Sequence, residues 1–216
     1  MYKTVLFDLD GTLTDSGIGI TNSVMHALRK MNVQVEERSA YYKFIGPPLL
    51  HSFQEYYGFS EEKSQLAVTY FHEYFSTKGI FENRVYEGIE TMLMQLSQME
   101  LKLCVATSKP EAFAKQILEH FCLEQYFSFV GGSTMDETRT DKAAVIRYVL
   151  ESEGIRDTDS VLMVGDREHD IIGAKKNGID SMGVLYGYGN QTEFEEAGAD
   201  YVVEKPMEIA QKIRIS

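Results

Sequence analysis

The order of patterns along these 216 residues predicts an α/β protein, a three-layer parallel sheet interrupted early by an all-helical insertion. Three observations carry that prediction. A short apolar run, Val5-Leu6-Phe7, stands near the start and stops abruptly at Asp8, Asp10 and Gly11, as a buried strand does on leaving a sheet. From about Ser16 to Arg84 every periodicity is helical and no strand signal occurs. From Gly88 onward strand-like runs alternate with helical ones, which calls for right-handed crossovers and parallel pairing.

The elements follow in chain order. After the opening strand, Gly17 and Gly19 are expected to bracket a flexible link before a helix with Ile20, Val24, Ala27, Leu28 and Met31 on one face. Further helices are expected at Leu49–Tyr57 and Glu61–Lys78, the last with Leu66, Tyr70, Phe71, Tyr74 and Phe75 as an inward stripe; core packing is the plain reading of that stripe. The chain therefore divides into residues 1–15 with 85–216 as an α/β domain and 16–84 as a helical insert. The linkers fall at Asp15–Ile20 and Asn83–Gly88. In the α/β part, a helix through Ile89, Met92, Leu93 and Leu96 precedes a strand at Leu101–Ala106. Pro110 is placed in the first turn of the next helix, whose stripe is Phe113, Ile117 and Phe121. A strand at Phe127–Val130, a helix from Asp141 to Ser152 and a strand at Val161–Val164 come next. A helix ending at Gly178, a strand at Ser181–Leu185, a capping box from Thr192 to Glu195, a strand at Tyr201–Val203 and a helix from Pro206 complete the pattern.

Composition bounds the function. A net charge of −12 repels polyanions, which argues against nucleic acid or an anionic membrane surface as partner. No apolar run approaches the length of a membrane span, and the chain starts directly on a strand without a signal peptide, so a cytoplasmic protein is expected. Cys104 and Cys122 belong to no pairing or metal pattern and read as free thiols. The five histidines are scattered without ligand spacing.

Acidic and polar residues gather where three strands end, the edge at which open α/β sheets bind ligands. Asp8 and Asp10, one residue apart, would share a face, and two such charges at about 4 Å repel by roughly 4 kcal/mol at an effective dielectric of ~20. Thr107 and Ser108 precede a helix N-terminus, where free amides favour anions, although taken alone they read most simply as an N-cap. Asp166 and Asp170 follow another strand in the string Gly165-Asp166-Arg167-Glu168-His169-Asp170. So many carboxylates around an anion site call for a hard divalent cation, and few ligands with retained waters suit Mg²⁺. Lys142 would supply the remaining positive charge.

The string FDLDGTLTDS, Phe7 to Ser16, resembles the first motif of the haloacid dehalogenase-like hydrolases almost letter for letter. The later order, a strand ending in Thr107, then Lys142, then GDxxxD from Gly165 to Asp170, is similar to that family's remaining motifs. The resemblance implies a Rossmann-like core with a helical cap. It also implies a phosphatase in which Asp8 attacks phosphorus, Asp10 acts as acid and base, Thr107 and Lys142 hold the phosphoryl group, and Mg²⁺ binds Asp8, Asp166, Asp170 and the Asp10 carbonyl. Gly11, Thr12, Ser108, Lys109, Arg167 and, from the cap stretch Lys43 to Pro48, Lys43 are the implied substrate-binding residues. Phosphoglycolate phosphatases, 5′-nucleotidases and β-phosphoglucomutases are the similar subgroups. They point to a small phosphorylated metabolite as substrate and to a monomer or weak homodimer, with a mutase as the enzymatic alternative. A non-catalytic phosphorylatable switch is the alternative from outside enzymes, disfavoured because it needs neither Asp10 nor a cap. Ser108, Ala143 and Arg167 depart from the family's usual residues and leave the substrate open.

Overall fold

The computed structural model describes residues 1–135 and 139–215. Its strands are β1 (Thr4–Phe7), β2 (Thr14–Asp15), β3 (Arg84–Val85), β4 (Lys102–Pro110), β5 (Phe129–Ser133), β6 (Val161–Gly165), β7 (Asp180–Val184) and β8 (Tyr201–Val203). The helices are α1 (Gly17–Lys30), α2 (Leu49–Tyr57), α3 (Glu61–Phe75), α4 (Ile89–Ser97), α5 (Glu111–His120), α6 (Lys142–Ser152), α7 (Glu168–Lys176), α8 (Gln191–Ala197) and α9 (Pro206–Ile215). The chain divides into two compact units, Met1–Thr14 with Val85–Ser216, and Asp15–Arg84; Asp15 falls one unit away from its expected place.

The first unit is built on a six-stranded parallel sheet in the order β5-β4-β1-β6-β7-β8. Its register follows from side-chain alternation: Leu6 lies opposite Cys104 on one side and Met163 on the other, and this row faces Val145, Ile146 and Val149 of α6 and Ala174 of α7. All of these are fully buried, and truncating Leu6 to alanine would cost about 2–5 kcal/mol. Helix α6 forms because Val145, Ile146, Val149 and Leu150 fall on one helical stripe that must be covered. The strands pair in register, with Phe7 level with Val105 and Val164, so Asp8, the part of β4 beyond Val105 and the residues that follow β6 lie at one edge.

The second unit is helical, with Ile20, Val24, Tyr41, Phe44, Phe53, Phe71 and Phe75 enclosed. Phe44 packs against Phe53 and Tyr56 at ring separations of 5.1 and 5.3 Å, so this residue of the Lys43–Pro48 stretch is core. The aromatic stripe of α3 is core at Phe71 and Phe75, but Leu66 is exposed: Ala67 and Val68 take the inward positions on that turn, and the helix stops at Phe75.

Several expected boundaries move. Gly17 and Gly19 lie inside α1 instead of forming a link, and a β-carbon on Gly19 would overlap the Gly79 carbonyl; this glycine serves close packing. Helix α8 is capped by Asn190, whose side chain accepts from the Glu193 amide at 3.1 Å and so displaces the Thr192–Glu195 box. Strand β5 begins two residues later than Phe127 and ends at Ser133. Strand β4 runs on through Pro110, which is the N-cap position of α5, not a residue of its first turn.

Candidate active site

The row at the strand ends carries the chemistry. Asp8 leaves β1 with its amide bonded to the Val164 carbonyl at 2.9 Å, which fixes it beside the end of β6. The next residues fold into a tight turn in which the Gly11, Thr12, Leu13 and Thr14 amides are all satisfied by the turn's own carbonyls. Gly11 has φ of +83°, and a β-carbon there would collide with the Asp166 carboxylate. The turn can therefore close on Asp166 only with glycine at this position.

Asp166 follows β6, and Asp170 sits in the first turn of α7, where a carboxylate is favoured by the helix dipole. One Asp170 oxygen accepts from the Arg167 amide at 3.1 Å; the other lies 2.8 Å from the Lys142 ammonium. The same ammonium is 2.8 Å from Asp8 and donates to the Ala106 carbonyl at 3.0 Å. Lys142 reaches this point because it is the first residue of α6, which the Val145 stripe anchors on the sheet.

Oxygens of Asp8, Asp166 and Asp170 lie within 4.8 Å of one another, a group able to hold a metal ion. Burial drives Asp166 well above the usual carboxylate range, and the neighbouring Asp170 and Asp8 charges push it the same way. Asp170 is raised too, first by burial, with Lys142 opposing. Burial works to lower Lys142, but the Asp170 and Asp8 charges overcome it and the net direction is upward. One Asp166 oxygen accepts from the Tyr188 amide at 2.8 Å, while the other is buried and has no hydrogen-bond partner. Buried carboxylates with an orphaned oxygen fit a divalent oxygen-loving cation and are otherwise costly.

The remaining expected residues separate into groups. Ala106 pairs with Gly131 and Pro110 with Ser133, so Thr107, Ser108 and Lys109 form a bulge in β4. The helix begins only at Glu111, so Thr107 does not cap it; its buried hydroxyl accepts from the Lys109 amide at 3.2 Å. Lys109 turns inward, its side chain only 6% exposed, and its ammonium lies 2.9 Å from Asp10. Thr12 is fully buried and its hydroxyl has no hydrogen-bond partner. Arg167 is paired with Glu193 at 2.9 Å, and the Glu168 amide donates to the same carboxylate at 2.8 Å, so its guanidinium anchors α7 to α8. Lys43 lies in the helical unit with its ammonium 4.2 Å from the Tyr56 ring centroid.

Sequence reasoning missed the loop after β7. Tyr186 donates its hydroxyl to the Thr12 carbonyl at 2.9 Å and packs edge-on against Tyr86 at 5.1 Å. Tyr188 holds Asp166, and Gly187 lies so close that a β-carbon would overlap both Asp166 and the Gly11 carbonyl. Two glycines spaced one residue apart after a strand were the available signal.

With this geometry in hand, comparison with known proteins is decisive. A family model described as haloacid dehalogenase-like hydrolase matches residues 5–184. The chain belongs to the haloacid dehalogenase-like hydrolases. It is 45% identical to a 5′-nucleotidase of Pseudomonas aeruginosa over 89% of this chain and 86% of that one. It is 39% identical to the tyrosine-protein kinase PtkA of Mycobacterium tuberculosis over 87% of this chain, which spans 63% of that protein. A crystal structure titled as a "predicted phosphatase" from Clostridium acetobutylicum superposes with a TM-score of 0.98, at 51% identity and full coverage of both chains. The chain is a phosphomonoester hydrolase of this family, and its sheet has the Rossmann-like α/β form. Among the described residues no helix is long and apolar enough to cross a membrane.

Proposed function

We propose that this haloacid dehalogenase-like hydrolase is a Mg²⁺-dependent, cytoplasmic phosphatase that acts on a small phosphate ester through a phosphorylated Asp8. The substrate class is a 5′-nucleotide or a short phosphorylated acid such as phosphoglycolate. One observation carries the reading: Asp8 stands at a strand end, 2.8 Å from the buried Lys142 ammonium, inside a group of three carboxylates.

An oxygen of Asp8 forms a bond to phosphorus while the bond to the leaving oxygen breaks, and the electron pair departs on that oxygen. Asp10 delivers the proton that the leaving oxygen needs. In the second half, Asp10 takes a proton from water as the water oxygen attacks phosphorus and the Asp8–phosphorus bond breaks, releasing phosphate and free Asp8. Lys142 balances the charge of Asp8 and of the phosphoryl oxygens, and Thr107 offers them a hydroxyl. Asp8, Asp166 and Asp170, with the Asp10 carbonyl, are the groups that would hold Mg²⁺, which when bound offsets the negative charge shared by phosphate and carboxylates. The unit Asp15–Arg84 takes the part of the inserted helical cap that the family resemblance implies, which would favour small esters over polymers.

A second reading, transfer of the phosphoryl group to an acceptor hydroxyl in place of water, is favoured by the relative named as a tyrosine-protein kinase. One experiment tests both. Phosphate release is measured across a panel of phosphorylated metabolites, and rapid-quench mass spectrometry of the best substrate's reaction looks for a phosphoryl adduct on Asp8. Release of inorganic phosphate with an Asp8 adduct is expected. An adduct with the phosphate recovered on an added hydroxyl acceptor selects transfer, and turnover without any adduct overturns the mechanism.

A further inference from the structure

We infer that Lys109 is a positioning residue for Asp10, and that it suits the site to phosphate esters of aliphatic alcohols, whose leaving oxygen must be protonated as it departs. The inference rests on the acid and base role proposed above for Asp10.

Each aspartate of the opening turn has its own buried lysine. Lys142 stands beside Asp8, and Lys109 lies 2.9 Å from one Asp10 oxygen with the two side chains only 6% and 10% exposed. The other Asp10 oxygen is buried and has no hydrogen-bond partner. A carboxylate turns freely about its last bond, and its two oxygens exchange places unless something distinguishes them. An ammonium fixed on one of them does so, leaving the orphaned oxygen as the atom that exchanges the proton with the leaving group. Lys109 is itself held in place. It belongs to the bulge of β4, its amide donates to the Thr107 hydroxyl at 3.2 Å, and Thr107 is the residue that meets the phosphoryl group in the proposed chemistry. The bulge thus ties the position of the transferred group to the direction of the proton donor. Positioned donors of this kind matter in proportion to how much the leaving group needs the proton. An alkoxide needs it; p-nitrophenolate does not.

The test compares kcat/KM, which reports the first, leaving-group-dependent step, for p-nitrophenyl phosphate and for the aliphatic ester turned over fastest in the panel. Asp10→Asn comes first, as the control on the underlying reading. A loss confined to the aliphatic ester upholds Asp10 as the acid, and equal losses on both esters overturn that reading and this inference with it. Given a selective Asp10 effect, Lys109→Met is expected to lower kcat/KM for the aliphatic ester on the order of 10²-fold, and about tenfold less for p-nitrophenyl phosphate. In the Asp10→Asn background the same substitution should add little, because its target is gone. Lys109→Arg keeps the charge and should recover part of the loss; if the methionine variant does not fold, the arginine variant shows the same selectivity at smaller size. Equal losses on both esters through KM would make Lys109 a phosphate-binding residue and overturn the inference. Full additivity with Asp10→Asn would also overturn it.

Discussion

The two ends of the sheet hold similar residues and treat them oppositely. At the starts of β1, β7 and β8, Tyr2 donates to Asp180 at 2.5 Å and lies 3.3 Å from the Tyr201 hydroxyl, while Asp200 accepts from the amide and the hydroxyl of Ser181. Each of these carboxylates meets a neutral donor. At the opposite end Asp8, Asp166 and Asp170 crowd together around one lysine, and Asp166 keeps an oxygen unpaired in the interior. A chain under selection for stability alone would satisfy both ends. The unpaired end is a reserve of unfavourable electrostatics that a divalent cation, on the proposed reading, would offset on binding.

The most forceful way to break this comparison is to neutralise one carboxylate at each end. Asp8→Asn keeps the shape but removes the attacking oxygen, so turnover and the phosphoryl adduct should both fall below detection. Asp180→Ala strips the acceptor from the Tyr2 hydroxyl, which should cost about 1–3 kcal/mol of stability and leave kcat/KM intact. Thermal melts and steady-state rates on both variants check this. A catalytic defect in the Asp180 variant at temperatures where it is fully folded would remove the distinction between the ends.

Next in size is the response to metal. EDTA should abolish activity, Mg²⁺ should restore it, and Ca²⁺ should restore it poorly because it seeks more ligands at longer distance than three carboxylates supply. Binding to the folded state alone also stabilises it, by about 2.7 kcal/mol at a hundred times the dissociation constant. The melting temperature should therefore rise with Mg²⁺ in the wild type and in the Asp180 variant, and much less in Asp166→Asn. A rise of equal size in all three would place the cation elsewhere.

How much of this was readable beforehand differs between the two ends for a physical reason. The parallel sheet follows from hydrophobic pattern alone, and because β1 and β6 pair in register, the approach of Asp8 and Asp166 at one edge follows too. Lys142 was legible from the order of the motifs in the family resemblance, but its contact with Asp8 and Asp170 depends on how the Val145 stripe seats α6. The Lys109–Asp10 pair was not legible, because it depends on a bulge that breaks strand periodicity at Thr107. Arg167 was legible as a basic residue, but its partner Glu193 lies two elements later, and only the fold shows that its charge is taken. The Tyr2–Asp180 contact gave no sign at all, joining opposite ends of the sequence through strand order.

The finest test concerns one hydroxyl at each end. Tyr186 donates to the Thr12 carbonyl at 2.9 Å, within the turn that carries Asp10 and Gly11, and burial pushes its hydroxyl well above the ordinary tyrosine value, with Asp166 adding to the effect. Tyr186→Phe keeps the ring against Tyr86 and loses only that bond, worth about 1 kcal/mol. If the bond fixes the turn against the loop that holds Asp166, the loss should appear in kcat/KM as roughly a fivefold fall, about what 1 kcal/mol of barrier amounts to. The dissociation constant of Mn²⁺, followed by electron paramagnetic resonance, should weaken alongside it. Tyr2→Phe removes a hydroxyl of the same kind from Asp180, and there the whole effect should appear in the melting temperature, with Mn²⁺ affinity and kcat/KM unchanged. Equal stability losses with equal kinetic losses in both variants would show that a bond at either end of the sheet matters only through overall stability, and the contrast between the ends would fail.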